Sequence, residues 1–342
     1  MARILNSLHR IAGRSRNWLS PCALVLLYHR IADGRCDPFG LAVSPKNFSE
    51  QMAVLANMGC AVPLRQLNEG KIRRPTVVLT FDDGYADNYL SAKPVLERFG
   101  IPATFFVTTV YIGTDREFWW DDLARVLLAP GFLPATLRAT AGRKEYLWEL
   151  TNSTNYSAES AVTYAGWRFG QPALTSRHRL FLRMHADLRL LAHAERRDIL
   201  DQLLQQAGLP GKARQAYRPM TETELAELAL SPVADIGSHT VTHPQLSSLH
   251  QSQQRFEITS SLNVLQNILG RPVRTFSYPY GSRSDYTSET TTLLRDTGLQ
   301  LACAAFEGTV RTAFDRFQIP RTYIRDWDGD EFARHLRERL YG

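Results

Sequence analysis

Two adjacent carboxylates, Asp82 and Asp83, stand in the string Thr80-Phe81-Asp82-Asp83-Gly84-Tyr85, directly after the apolar run Val77-Val78-Leu79. Residues leaving a buried strand point in different directions, so one carboxylate can ligate a metal while the other handles protons. Far downstream, His239 and His243 bracket Thr240-Val241-Thr242, a spacing that lets two imidazoles face one centre. Asp plus His plus His offers three protein ligands and leaves a position for water, the layout of a catalytic rather than a structural zinc site. Each piece also has a bland reading. Acidic residues before glycine make turns, and histidines at this spacing occur on solvated helices. A third piece tips the balance: Arg274-Thr275-Phe276-Ser277-Tyr278-Pro279-Tyr280-Gly281, another strand running into a tight turn.

The elements that must position these groups alternate between strand and helix. Ala23–Tyr28, Thr76–Thr80, Ala103–Val107, Ala234–Gly237, Thr275–Tyr278, Leu301–Ala305 and Phe317–Pro320 read as strands. Between them lie helical stretches: one opened by Ser44-Pro45 and stopped by Gly59, others at Ala92–Phe99, Gln254–Leu269, Glu289–Thr297 and Asp330–Leu340. Thr221-Glu222-Thr223-Glu224 is a capping box for a further short helix. Such alternation predicts a parallel sheet with helices outside. Every chemically suspicious residue falls at the C-terminal end of a strand, where α/β barrels place their active sites, so a barrel is favoured over an open sheet. A largely helical insertion, about 114–219, interrupts the series and is expected to cap the barrel mouth. It carries Trp119 and Trp120, which either stack on sugar rings or anchor the insertion in its own core. It also carries a basic stretch from Arg177 to Arg197, either a solvated face or an attraction for phosphate.

The composition fits a soluble globular enzyme of 342 residues, and the net charge of +6 is spread among interspersed acids and bases. No zinc-knuckle, helix-turn-helix or aromatic RNA-binding signature accompanies that charge, so no nucleic-acid partner is expected. Cys22, Cys36, Cys60 and Cys303 are far apart and read as free thiols in a reducing compartment. Residues 1–20 place Ile4, Leu5, Leu8, Ile11 and Leu19 among Arg3, Arg10, Arg14 and Arg16. This is either a basic amphipathic segment resting on anionic lipid or a solvated N-terminus. Cys22 to Tyr28 is too short for a membrane span and lacks a cleavage site after it.

Thr80-Phe81-Asp82-Asp83-Gly84, His239-Thr240 with His243, and Arg274 with Pro279-Tyr280 resemble the first three motifs of the polysaccharide deacetylases, the NodB-like carbohydrate esterases. Order and separation agree over about 24–110 and 221–325. The resemblance implies a distorted (β/α)7-type barrel over 21–342 that removes N-acetyl groups from amino sugars using one divalent ion, usually Zn2+. By position, Asp82 resembles the general base, and Asp83, His239 and His243 the metal ligands. Arg274 resembles the residue that orients the base, and Tyr280 the donor of a backbone N–H to the oxyanion. The end of the chain departs from the pattern, because Ile319-Pro320-Arg321-Thr322-Tyr323-Ile324 contains no histidine. His29, closing Leu26-Leu27-Tyr28-His29, resembles the acid histidine that one branch of the family carries on an N-terminal strand. First and last strands are neighbours in a closed barrel, so either can deliver that side chain.

The implied chemistry is hydrolysis of an acetamide: Asp82 takes a proton, the Tyr280 N–H holds the oxyanion, and His29, as imidazolium, protonates the leaving nitrogen. Tyr85, Trp119 and Trp120 are the candidate substrate contacts. The expected substrate is an N-acetylhexosamine unit of a cell-envelope or exported glycan, or a lipid- or nucleotide-linked precursor. The expected location is cytoplasmic, with peripheral contact at the inner membrane face through residues 1–20. A small non-sugar amide as substrate, and a non-catalytic carbohydrate binder on the same barrel, are the alternatives.

Overall fold

The computed structural model describes residues 21–34, 36–69, 72, 74–150, 154–311 and 313–341. The basic segment 1–20 lies outside the described residues. Seven strands form one parallel sheet: β1 (Ala23–Tyr28), β2 (Thr76–Phe81), β3 (Ala103–Val107), β4 (Ala234–Ser238), β5 (Thr275–Ser277), β6 (Leu301–Cys303) and β7 (Thr322–Tyr323). Their spatial order is β6-β5-β4-β3-β2-β1-β7. β1 and β2 are buried along their whole length, as expected for strands covered on both faces. The register runs Tyr28↔Phe81, Phe81↔Phe105, Val107↔Ser238, Ser238↔Phe276 and Ser277↔Cys303, which brings the C-terminal strand ends to one rim.

A single segment closes the sheet into a ring. Ile319 bridges Cys303 on β6, while Thr322 and Tyr323, a few residues on, pair with Leu26 and Leu27 on β1. The last strand was expected at Phe317–Pro320; its regular pairing with β1 begins only after Pro320. Proline has no N–H to give a ladder, and the chain changes partner there.

Helices follow the strands. Pro45–Met58 is capped by the Ser44 hydroxyl and stops at Gly59. Gln251–Leu269 carries a capping box at His250. Ser288–Asp296 and Gly329–Tyr341 complete the later part of the barrel. Among the described residues, no helix is long and apolar enough to cross a membrane.

The chain divides into two compact units. Of the described residues, one unit holds the barrel and comprises those within 21–33, 42–109 and 222–341; the other comprises those within 34–41 and 110–221. The second unit is not purely helical. Besides Trp119–Leu128, Ala158–Thr163, Ser176–Arg189 and His193–Gln206, it contains an antiparallel hairpin, Thr136–Ala141 with Lys144–Glu149. Strict alternation of burial along Thr136–Ala141 and the left-handed turn at Gly142 (φ 59°) are the hairpin's signals. Two glutamines of the helix His193–Gln206 bond the free edge of that hairpin. Gln206 accepts from the Arg138 N–H and donates to its carbonyl, and Gln202 does the same at Thr140.

Candidate active site

Strand parity explains which residues meet. Ala23, Val25, Val78, Phe106, Leu301, Cys303 and Ile319 pack in one cluster inside the ring. A Cβ at Gly237 would strike Phe106, and Thr275 lies beside it, so these two share that interior. Counting on by two along each strand, since strand side chains alternate, reaches His29, Asp82, Thr108, His239, Ser277, Arg321 and Tyr323. The site is the polar upper layer of a barrel whose lower layer is apolar.

Asp82 leaves the end of β2 almost fully buried. Arg321 grips it with both arms: Nη1 donates to Oδ1 and Nη2 to Oδ2, each at 2.7 Å. The guanidinium is 0% exposed. Its other donors reach the Ala304 carbonyl (2.6 Å), Thr80 Oγ1 (3.2 Å) and Ser277 Oγ (2.8 Å), so all five N–H groups have acceptors. Ser277 Oγ in turn donates to Asp82 Oδ2 at 3.1 Å. Burial alone would raise the Asp82 carboxyl, but the neighbouring Arg321 guanidinium, paired with and hydrogen-bonded to it, outweighs burial and holds the group down at about 2. Asp82 is therefore a carboxylate throughout the neutral range.

The expected partner of that base, Arg274, is a correction. It is exposed on the approach to β5, and the bidentate contact belongs to Arg321. Parity gives the reason: Arg274 falls out of phase with Thr275 and Ser277, whereas Arg321 is in phase with Ile319.

Asp83, His239 and His243 converge, with one ligand atom from each within 4.8 Å of the others. Asp83 Oδ1 is 3.6 Å from His239 Nε2 and 3.5 Å from His243 Nε2. Ligands about 2 Å from a tetrahedral ion stand roughly 3.3 Å apart, so this spacing fits one divalent cation. His239 Nδ1 lies 2.7 Å from the Ser277 carbonyl. A carbonyl only accepts, so Nδ1 carries the hydrogen and the Nε2 lone pair faces Asp83, as a ligating imidazole requires. Burial lowers His239 against the pull of Asp82, which keeps the ring neutral.

Four non-glycine residues have left-handed backbone among the described residues, and all lie here: Asp83 (φ 75°), Thr240 (67°), His243 (57°) and Tyr280 (60°). Such conformations are costly and persist only where the surroundings fix them, typically at functional sites. Gly84 also has positive φ (95°), and a Cβ there would come within 2.9 Å of Val107, so only glycine lets the Asp82-Asp83 turn lie against β3. Tyr280 sets its ring edge-on to His243, centroids 4.8 Å apart.

His29 is half-buried at the same rim. Its ring stacks on Tyr323, centroids 5.9 Å and planes 10° apart, and its carbonyl accepts from Asn88 Nδ2. It feels the charges of Asp82 and Arg321, so it belongs to the site. Burial lowers it to about 4 despite Asp82, so it rests as a neutral imidazole and not as the imidazolium expected.

The aromatic candidates are also corrected. Tyr85 and Trp119 are 0% exposed and Trp120 5%, which leaves no ring face for a pyranose. Trp119 stacks on His185 and lies under Arg196; Trp120 stacks on Phe118. Both tryptophans are core residues of the second unit. Tyr85 lies beneath the Arg30 guanidinium, which is paired with Asp87.

The model of the family described as "Polysaccharide deacetylase" matches residues 69–138 and 207–302 of this chain. YxkH of Bacillus subtilis, assigned by name to the polysaccharide deacetylases, is 36% identical over 95 residues, 26% of this chain and 33% of its own. The matched segment thus spans about a third of that relative's length. Among solved structures, IcaB from Ammonifex degensii aligns with TM-score 0.56 at 18% identity, covering 94% of this chain and 97% of its own. The Streptococcus pyogenes deacetylase PplD, in complex with acetate, aligns with TM-score 0.51 at 16% identity, covering 93% and 99%. At those identities the likeness is one of fold.

Proposed function

We propose, from the match of 69–138 and 207–302 to the polysaccharide deacetylase family model and the likeness to YxkH, that this chain is a polysaccharide deacetylase: a metal-dependent hydrolase that removes the acetyl group from an N-acetylhexosamine unit of a glycan or its precursor, releasing acetate. One observation carries the reading. A carboxylate locked by Arg321 stands beside a separate Asp-His-His cluster, with His239 Nε2 3.8 Å from Asp82 Oδ2. A site that only bound sugar would need neither the second carboxylate nor its buried guanidinium. Acetate is the molecule named with PplD, which makes it a suitable first product to assay.

Asp83, His239 and His243 would hold the ion, and zinc suits this N,N,O set. When bound, such an ion polarises the acetyl carbonyl and lowers the pKa of water beside it. Asp82, ionised and aimed by Arg321, accepts the proton of the attacking water. Tyr280, turned into left-handed backbone, presents its N–H to the developing oxyanion. His29 starts neutral, so the proton it hands to the departing nitrogen is one it has first taken up at the site.

The test is acetate release from chitooligosaccharides by the zinc-loaded protein. Asp82→Asn is expected to lower kcat by ~10²- to 10⁴-fold with metal content unchanged. Near-normal turnover by that variant would remove Asp82 as base. Turnover of simple acetamides but not of sugars would leave the hydrolase and discard the glycan.

A further inference from the structure

Glu257 sits on the helix Gln251–Leu269, and its carboxylate is turned inward, 7% exposed. Oε2 accepts from the backbone N–H groups of Val241 (2.8 Å) and Thr242 (2.9 Å), and Oε1 from the Thr242 hydroxyl (2.7 Å). Those donors are the middle of the loop between His239 and His243. No lysine or arginine pairs with this anion among the described residues, so the loop's own N–H and O–H groups compensate its buried charge. Without them the carboxylate would be stranded, and without the carboxylate two convergent N–H groups would be.

The loop needs such a clamp. Thr240 and His243, on either side of the clamped pair, both have left-handed backbone, a conformation unfavourable for non-glycine residues. The loop is also held at Thr240, whose carbonyl accepts from the Thr109 N–H at 3.2 Å and whose Oγ1 accepts from the His243 N–H at 3.1 Å. Both of these act at Thr240, whereas Glu257 acts midway between the two imidazoles.

We propose that Glu257 is a positioning residue of the ligand cluster. It fixes the loop in the one conformation that aims both imidazoles at Asp83 Oδ1, and thereby sets the affinity for the divalent ion. The inference rests on the reading of Asp83, His239 and His243 as metal ligands, and it touches no reacting atom.

The experiment is zinc affinity by competition with a chromogenic chelator, measured on the full chain alongside the melting temperature of the metal-free protein. Glu257→Gln keeps the shape but loses the charge, and is expected to weaken zinc binding roughly tenfold or more. Thr242→Val removes one of the three bonds and is expected to weaken it only a few-fold. Excess zinc should restore kcat in both, with KM for the sugar unmoved, which a general loss of folding would not allow. Zinc affinity within about twofold of wild type in folded Glu257→Gln would overturn the proposal. Should Glu257→Gln fail to fold, unchanged affinity in Thr242→Val overturns it and the graded loss supports it. A wild-type chain that binds no divalent ion overturns the metal reading itself, and that result is seen before any substitution is made.

Discussion

Arg321 commits five donors to five acceptors around one carboxylate. Replacing it by glutamine strands a buried anion, which typically costs about 3–5 kcal/mol. Denaturant midpoints should therefore fall steeply for Arg321→Gln, and acetate release with them. Arg274→Gln, at an exposed position, should match wild type in both measurements. This contrast also shows the limit of the sequence. Asp82, Asp83, His239, His243 and Tyr280 announce themselves because each motif is local. The partner of Asp82 lies 239 positions away, in a string noticed chiefly for lacking a histidine. Choosing between two arginines required the phase of β7 relative to Ile319, which is fixed only when Pro320 breaks the ladder.

Among elements, the strand ends were the most legible, because a buried run followed by polar residues marks a parallel strand whatever its neighbours. The hairpin Thr136–Ala141 with Lys144–Glu149 was not legible within a stretch rich in helix formers. Its apolar face is completed by other parts of its unit and not by its own sequence. The helices Ser176–Arg189 and His193–Gln206 carry His178, His185 and His193, all lowered by burial, His185 to about 3 and His193 to about 4. A depressed histidine leaves stability intact above its unfolded value near 6.5 and removes it progressively as pH falls towards the folded value, because the unfolded chain binds the proton first. The second unit should accordingly lose stability between about pH 6.5 and 3. Four of the six tryptophans, Trp119, Trp120, Trp148 and Trp167, belong to it, so their emission reports the transition. His185 is surrounded by Phe39, Trp119, Phe169 and Phe181. His185→Phe should fit that setting and move the emission midpoint to lower pH.

On the scale of the molecule, the ring is closed by backbone pairing and an apolar interior, neither of which needs an ion. Chelation should leave the far-ultraviolet circular dichroism unchanged while abolishing acetate release. Readdition of zinc at about a hundred times its Kd should stabilise the protein by ~2.7 kcal/mol, read as a rise in Tm. Collapse of the dichroism on chelation would mean that the cluster holds up the fold and does not merely occupy it. The two side-chain amides on Gln202 and Gln206 carry a different molecular consequence. By donating and accepting at alternate residues of Thr136–Ala141, they act as a counterfeit neighbouring strand and leave no vacancy for a genuine one. Along the edge covered in this way, Thr136–Ala141 cannot pair with a strand of a second copy. Removing both amides, Gln202→Ala with Gln206→Ala, should turn a monodisperse sedimentation profile into one that broadens with concentration.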